Sequence, residues 1–145
     1  MGGYCSKDME RLNYLTSEIN EVYHDAALRM GVSDSAMNIL YTICVAGDGC
    51  ALSDVARLSG CSRKTIHSAV KKLEKDGIVR LEPKNKREKR VLLTQAGKEL
   101  TEKTAKKLIA TENEIFDGWE RKEREQYLRL MQKYLSDLKE RVEKI

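Results

Sequence analysis

The helical periodicity of this chain breaks at one place, between Ile78 and Leu93, and the break carries a cluster of basic residues. Ile78-Val79-Arg80-Leu81-Glu82 and Arg90-Val91-Leu92-Leu93 are short alternating or β-rich runs, and Pro83-Lys84-Asn85-Lys86-Arg87-Glu88-Lys89 between them reads as a turn. A β-hairpin with a basic tip is therefore expected inside an otherwise helical chain. One proline in 145 residues and 6% aromatics argue against an all-β sandwich, which uses more turn residues and far more rings. The length fits one domain with one core.

The helices follow from apolar spacing and caps. Met9, Leu12, Leu15, Ile19, Val22 and Ala26 recur at three- and four-residue steps, predicting an amphipathic helix that stops near Gly31. Ser33 or Asp34 can cap a second helix whose run from Ala36 to Ala46 is apolar almost all round, hence central, and which Gly47 and Gly49 end. A third, short helix fits Ser53 to Ser59, burying Val55, Ala56 and Leu58 before Gly60. Ser62 can cap a fourth, with Cys61 and Ile66 as a hydrophobic staple. In that helix Ile66, Val70 and Leu73 share one face; at 100° per residue Lys64, Ser68, Lys71, Lys72 and Lys75 fall opposite, with Thr65 and His67 on the flanks. Gly77 terminates it. After the hairpin, Thr94 caps one continuous helix burying Leu100, Leu108, Ile115 and Trp119, and a last helix from about Glu120 buries Tyr127, Leu130, Tyr134, Leu138, Val142 and Ile145.

Charge is unevenly placed. Residues 63–90 hold eleven basic and four acidic residues, a net of +7 against +4 for the whole chain, so the flanks are net acidic. A basic middle between acidic helical ends is the footprint of a domain with one nucleic-acid-facing side. The longest nearly apolar run, Ile39 to Ala46, is too short to cross a bilayer, and no basic-then-apolar leader opens the chain. A cytoplasmic protein with no membrane partner is expected.

A short helix, a glycine-containing turn, a capped helix and a basic hairpin together predict a winged helix-turn-helix: mainly α with a small β wing, flanked by N- and C-terminal dimerisation helices. The major groove of B-DNA admits one α-helix, so the second helix of the pair must expose short polar and basic side chains on one face and anchor itself by the other. Ser62, Arg63, Lys64, Thr65, His67, Ser68, Lys71 and Lys72 are the expected contacts from this helix, and Lys84, Lys86 and Arg87 those from the wing. The end helices carry apolar seams longer than a small winged-helix core can cover. They are expected to pair into a homodimer through Leu12, Leu15, Ile19, Tyr127, Tyr134, Leu138 and Val142.

Val55-Ala56, Cys61-Ser62-Arg63-Lys64-Thr65-Ile66, Leu73-Glu74-Lys75-Asp76-Gly77-Ile78-Val79-Arg80 and Val91-Leu92-Leu93-Thr94-Gln95-Ala96-Gly97 carry a resemblance. On these residues, and over essentially its whole length, the chain resembles the MarR family of transcriptional regulators. The resemblance implies a single MarR-like domain over 1–145, with the winged helix-turn-helix lobe at 33–94 and dimerisation helices at 8–30 and 95–145. It further implies a repressor that binds double-stranded DNA at an inverted-repeat operator and is released by a small-molecule ligand lodged between dimer helices and DNA-binding lobe. The family's wing usually reads Asp-x-Arg; here it is Asn85-Lys86-Arg87, so Arg87 inherits a minor-groove role while the Asp is replaced.

Two alternatives compete. A thiol- or peroxide-sensing regulator would act through Cys5, which lies ahead of the first apolar stripe beside Lys7, as N-terminal cysteines do in the peroxide-sensing branch of the family. A winged-helix module that binds protein instead of DNA is the second, and it has no need of so basic a helix face and wing. An enzyme is not expected: no Gly-rich phosphate loop occurs, no His stands beside a nucleophile in a plausible motif, and the carboxylates are scattered among lysines. Cys44, Cys50, Cys61, His24 and His67 lack the paired spacings of a metal site, so no metal and no cofactor are expected. Cys44 and Cys61 read as packing residues.

Overall fold

The computed structural model describes residues 3–145. The elements run α1 (Lys7–Arg29), α2 (Asp34–Ala46), α3 (Leu52–Ser59), α4 (Arg63–Lys75), β1 (Val79–Pro83), β2 (Lys89–Leu93), α5 (Gln95–Lys103), α6 (Ala105–Gly118) and α7 (Arg121–Val142). They form two compact units, one through Leu108 and one over Ile109–Ile145.

In the first unit α2 is the central helix, packed on α3 and α4. Its Ile39 and Ile43 join Val55 of α3, Ile66, Val70 and Leu73 of α4, Val79 of β1 and Val91 of β2 in one buried cluster. The predicted inward stripe of α4 is thus the observed one, and each such side chain contributes about 1.5–3 kcal/mol by leaving water. A second cluster joins Ala27, Met37, Leu40 and Ala105. The predicted caps form: Ser33 Oγ accepts the Ala36 N–H at 3.1 Å, Ser62 Oγ the Thr65 N–H at 3.2 Å and Thr94 Oγ1 the Gly97 N–H at 3.0 Å.

β1 and β2 pair antiparallel with Val79 opposite Leu93 and Leu81 opposite Val91. The chain just before α3 adds a third, isolated pairing, Ala51 opposite Arg90, with Val91 N–H donating to the Cys50 carbonyl at 2.9 Å. This ties strand β2 to the helix-turn-helix.

Three expectations need correction. The helix after Thr94 is not continuous: it breaks at Thr104, whose φ and ψ are −126° and −91°, into α5 and α6. Thr101 and Thr104 hydroxyls donate back to the Gly97 and Leu100 carbonyls, each at 2.7 Å, and such back-bonding bends a helix. Leu58 is exposed, not buried, at the rim of α3. In the single chain Ile115, Tyr127, Leu130, Tyr134, Leu138, Val142 and Ile145 are also exposed. Periodicity identified these stripes but overstated their burial in the single chain.

In the second unit α7 opens with a capping box between Glu120 and Glu123. Phe116, Trp119 and Tyr127 pack edge to face, with centroids 5.2–6.2 Å apart. Arg124 donates to the Phe116 carbonyl at 3.1 Å, closing the α6–α7 corner.

Candidate nucleic-acid interface

The interface is built on α4. Its N-terminus is fixed by Ser62, whose Oγ, besides accepting from Thr65 N–H, donates to Thr65 Oγ1 at 2.9 Å. Its C-terminus is fixed by Gly77, at φ +74°, from which the chain turns back so that Ile78 N–H donates to the Leu73 carbonyl at 2.9 Å. Between these stops the buried Ile66, Val70 and Leu73 set the helix rotation, leaving Arg63, Lys64, Thr65, His67, Ser68, Lys71 and Lys72 exposed on the outer side. Ser62 is exposed too, but its hydroxyl is engaged by the cap, so it orients Thr65 as much as it faces solvent.

The wing stands beside α4, with Lys84, Lys86 and Arg87 exposed at its tip. Lys84 and Asn85 N–H groups both donate to the Glu88 carbonyl, at 2.8 and 3.2 Å. Asn85 Oδ1 accepts the Arg87 N–H at 2.9 Å. An Asp in this place would accept the same bond, so Asn85 keeps the turn that presents Arg87 and gives up only the charge. Sequence reasoning attached a role to Arg87 without finding this bond, although an Asn two residues before a turn position is its usual signal.

Glu88 was also missed. Its side chain crosses to α3, where Ser53 Oγ donates to Oε1, and its Oε2 lies 3.9 Å from Lys84 Nζ. Between α3, α4 and the wing runs a groove of about 350 Å³ lined by Ser53, Arg63, His67, Lys71, Arg87 and Glu88. On the other side of α4, a wider cavity of about 730 Å³ reaches from Ser35 and Ala36 of α2 past Lys64, Ser68 and Lys72 to Leu100 of α5.

The dimer candidates divide between the two units. Leu12, Leu15 and Ile19 are exposed on α1, and Tyr127, Tyr134, Leu138 and Val142 are exposed on α7. Near α1's end, His24 Nδ1 and Asp34 Oδ2 are 2.7 Å apart; that hydrogen bond and the carboxylate charge hold the imidazole pKa above its usual value.

Cys5 is exposed immediately before the α1 cap Ser6, its Sγ 4.0 Å from the Asn13 amide. Cys44, Cys50 and Cys61 are half-buried, and burial pushes the Cys44 and Cys50 thiols up, making them poorer nucleophiles at neutral pH. Among the described residues no group of three or more His, Cys, Asp or Glu side chains could hold a metal ion, and no helix is long and apolar enough to cross a membrane.

Residues 30–90, spanning the helix-turn-helix and most of the wing, match the model of the MarR family. No curated protein matches the chain. Among solved structures, a MarR-family transcriptional regulator from Silicibacter pomeroyi is 25% identical with a TM-score of 0.65, covering 87% of this chain and 86% of that one. The S. aureus MepR–DNA complex superposes with a TM-score of 0.71 at 18% identity, covering 95% of this chain and 99% of that one. Bordetella bronchiseptica BpsR, whose DNA binding is regulated by 6-hydroxynicotinic acid, gives a TM-score of 0.63 at 18% identity over 86% of this chain and 98% of that one.

Proposed function

We propose that this chain, a DNA-binding regulator of the MarR family by its winged-helix lobe, works as a homodimeric repressor that grips an inverted-repeat operator and is released by a small-molecule effector. The observation that carries this reading is the exposed face of α4, with Lys64, Ser68, Lys71 and Lys72, beside a wing tip bearing Lys84, Lys86 and Arg87. A helix so presented fits the major groove, and a basic hairpin beside it reaches phosphates or the adjoining minor groove. A protein-binding winged helix would gain nothing from this concentration of positive charge.

The exposed apolar seams of α1 and α7 support dimerisation, since stripes of Leu, Ile, Tyr and Val facing water carry a cost that a second copy removes. Two recognition helices related by a two-fold axis then address half-sites about one helical turn apart. The MepR structure is a DNA complex and BpsR responds to an aromatic acid, which supports DNA as partner and a small molecule as effector. An occupant of the cavity beside α4 would act by favouring a helix placement that DNA does not, and a typical coupling is about 1–3 kcal/mol. Cytoplasmic placement follows from the same partner.

Footprinting on duplexes selected by the protein from a random pool tests this directly. Two protected half-sites in inverted repeat, and a light-scattering mass twice that of the chain, are expected. A single protected half-site, or a monomeric mass at micromolar concentration, would refute the dimeric reading.

A further inference from the structure

Glu88 is an acid set in the basic tip of the wing, and its geometry gives it work other than meeting DNA. A carboxylate beside phosphates opposes binding, yet both of its oxygens already have partners within the protein. Oε1 accepts from Ser53 Oγ on α3, Oε2 faces Lys84 at 3.9 Å, and the Glu88 carbonyl closes the tip by accepting from Lys84 and Asn85. The side chain is only 27% exposed, the least of the charged groups at the tip that engage in ion pairs. Ser53 and Glu88 are 35 residues apart in sequence, so their bond is a tertiary contact between the helix-turn-helix and the end of the hairpin. Leu93 N–H, donating to Asp48 Oδ1 at 2.8 Å, ties the base of the wing, and the Ala51–Arg90 pairing holds β2 one pair in from the turn; the Ser53 bond adds an anchor on the turn itself.

We propose that Glu88 is a positioning residue for DNA recognition. Anchored to Ser53, it sets the distance between the wing tip and α4, and thereby the register at which Arg87 enters a minor groove while Lys64 and Ser68 face the adjoining major groove. The bonds along β2 hold the strand but not the turn before it, and the Ser53 bond fixes where that turn stands. Arg87 follows Glu88 closely, because its N–H is bonded to Asn85 Oδ1 within the same turn. A narrow A·T-rich minor groove rewards an Arg only when it arrives at the right depth. This proposal rests on the DNA-binding reading given above.

The test uses the 145-residue chain and a duplex it selects from a random pool, made in two forms with A·T or G·C pairs flanking each half-site. Fluorescence anisotropy gives the A·T-over-G·C preference. Ser53→Ala removes the anchor without altering charge and should lower that preference about fivefold, with Tm and circular dichroism like the parent's. Glu88→Ala breaks the same contact from the other side and should lose the same preference. Glu88→Gln keeps an acceptor oxygen and should restore it, while binding both duplexes more tightly because a negative charge is gone. Arg87→Ala should abolish the preference, and Ser53→Ala in that background should change nothing more. The strut is overturned if Ser53→Ala keeps the parent's preference, or if its loss persists undiminished in the Arg87→Ala background. A parent that selects no duplex overturns the DNA-binding reading and the strut together, and this is seen before any variant is made.

Discussion

Gly97 of α5 lies so close to Ile78 that a β-carbon on it would stand 2.0 Å from the Ile78 carbonyl oxygen and 3.1 Å from the carbonyl carbon. The same stretch is bonded from the other end of the motif: Thr94 N–H and Oγ1 both donate to the Ile78 carbonyl at 3.0 Å, and Oγ1 reaches the Gly77 carbonyl at 2.5 Å. The Leu-Thr-x-x-Gly sequence is therefore a clamp that fixes the start of α5 against the turn leaving α4. The obstacle is backbone, so it cannot be relieved by a side-chain rotation.

Gly97→Ala should destabilise the fold by about 1–3 kcal/mol or more, the range for forcing a methyl into a packed site. Thermal unfolding checks this. A variant melting with the parent would show that α5 can move away freely, and the clamp would be discarded.

Much of this was legible in the sequence because it is local. Ser62 as a cap, Ile66, Val70 and Leu73 as an inward stripe and Gly77 as a stop depend on residues within one helix, and all three appear as expected. The break at Thr104 was not legible, since the apolar spacing continues across it and the bend comes from Thr hydroxyls competing for helix carbonyls. Nor was the Ser53 to Glu88 contact, which no periodicity encodes because it joins two elements distant in sequence. For α1 and α7 the pattern marked apolar seams, and these stand exposed in the single chain.

His24 and Asp34 link α1 to the start of α2 and should make stability depend on pH. The folded-state pKa of His24 is raised, chiefly by the hydrogen bond to Asp34 and its charge, with smaller contributions from Glu21 and Asp25. The pairing thus stabilises the fold fully below the unfolded value of about 6.5 and is lost as pH rises through the raised folded value. Asp34→Asn should lower Tm relative to the parent near pH 6 and leave it unchanged near pH 9, and should lower the His24 pKa read by NMR. An equal Tm difference at both pH values would assign the effect to helix capping instead.

Recognition helix and wing should fail in different ways. On the proposed reading, Ser68→Ala or His67→Ala should alter base preference at about 1–3 kcal/mol, as expected for contacts to base edges. Lys84→Ala should weaken binding to all sequences alike and reduce the salt slope by about one, as expected for a phosphate contact. Binding measured on a panel of single-base variants separates the two. A uniform loss for Ser68→Ala would take base reading away from α4.

Cys5 is exposed, and the Asn13 amide that donates to its Sγ at 4.0 Å is not a base. Cys5→Ser should leave DNA affinity and effector response unchanged. If stoichiometric peroxide abolishes DNA binding by the parent and not by Cys5→Ser, control is by oxidation and not by a ligand.

The central claim, that the basic face of α4 and the wing tip bind specific DNA as a unit, is tested most directly by affinity for the selected inverted repeat and for a scrambled duplex across salt concentration. Neutralising about six phosphates predicts a loss on the order of 10³-fold between roughly 50 and 200 mM salt, with the inverted repeat favoured throughout. Equal affinity for the two duplexes, or an affinity that does not move with salt, would contradict it.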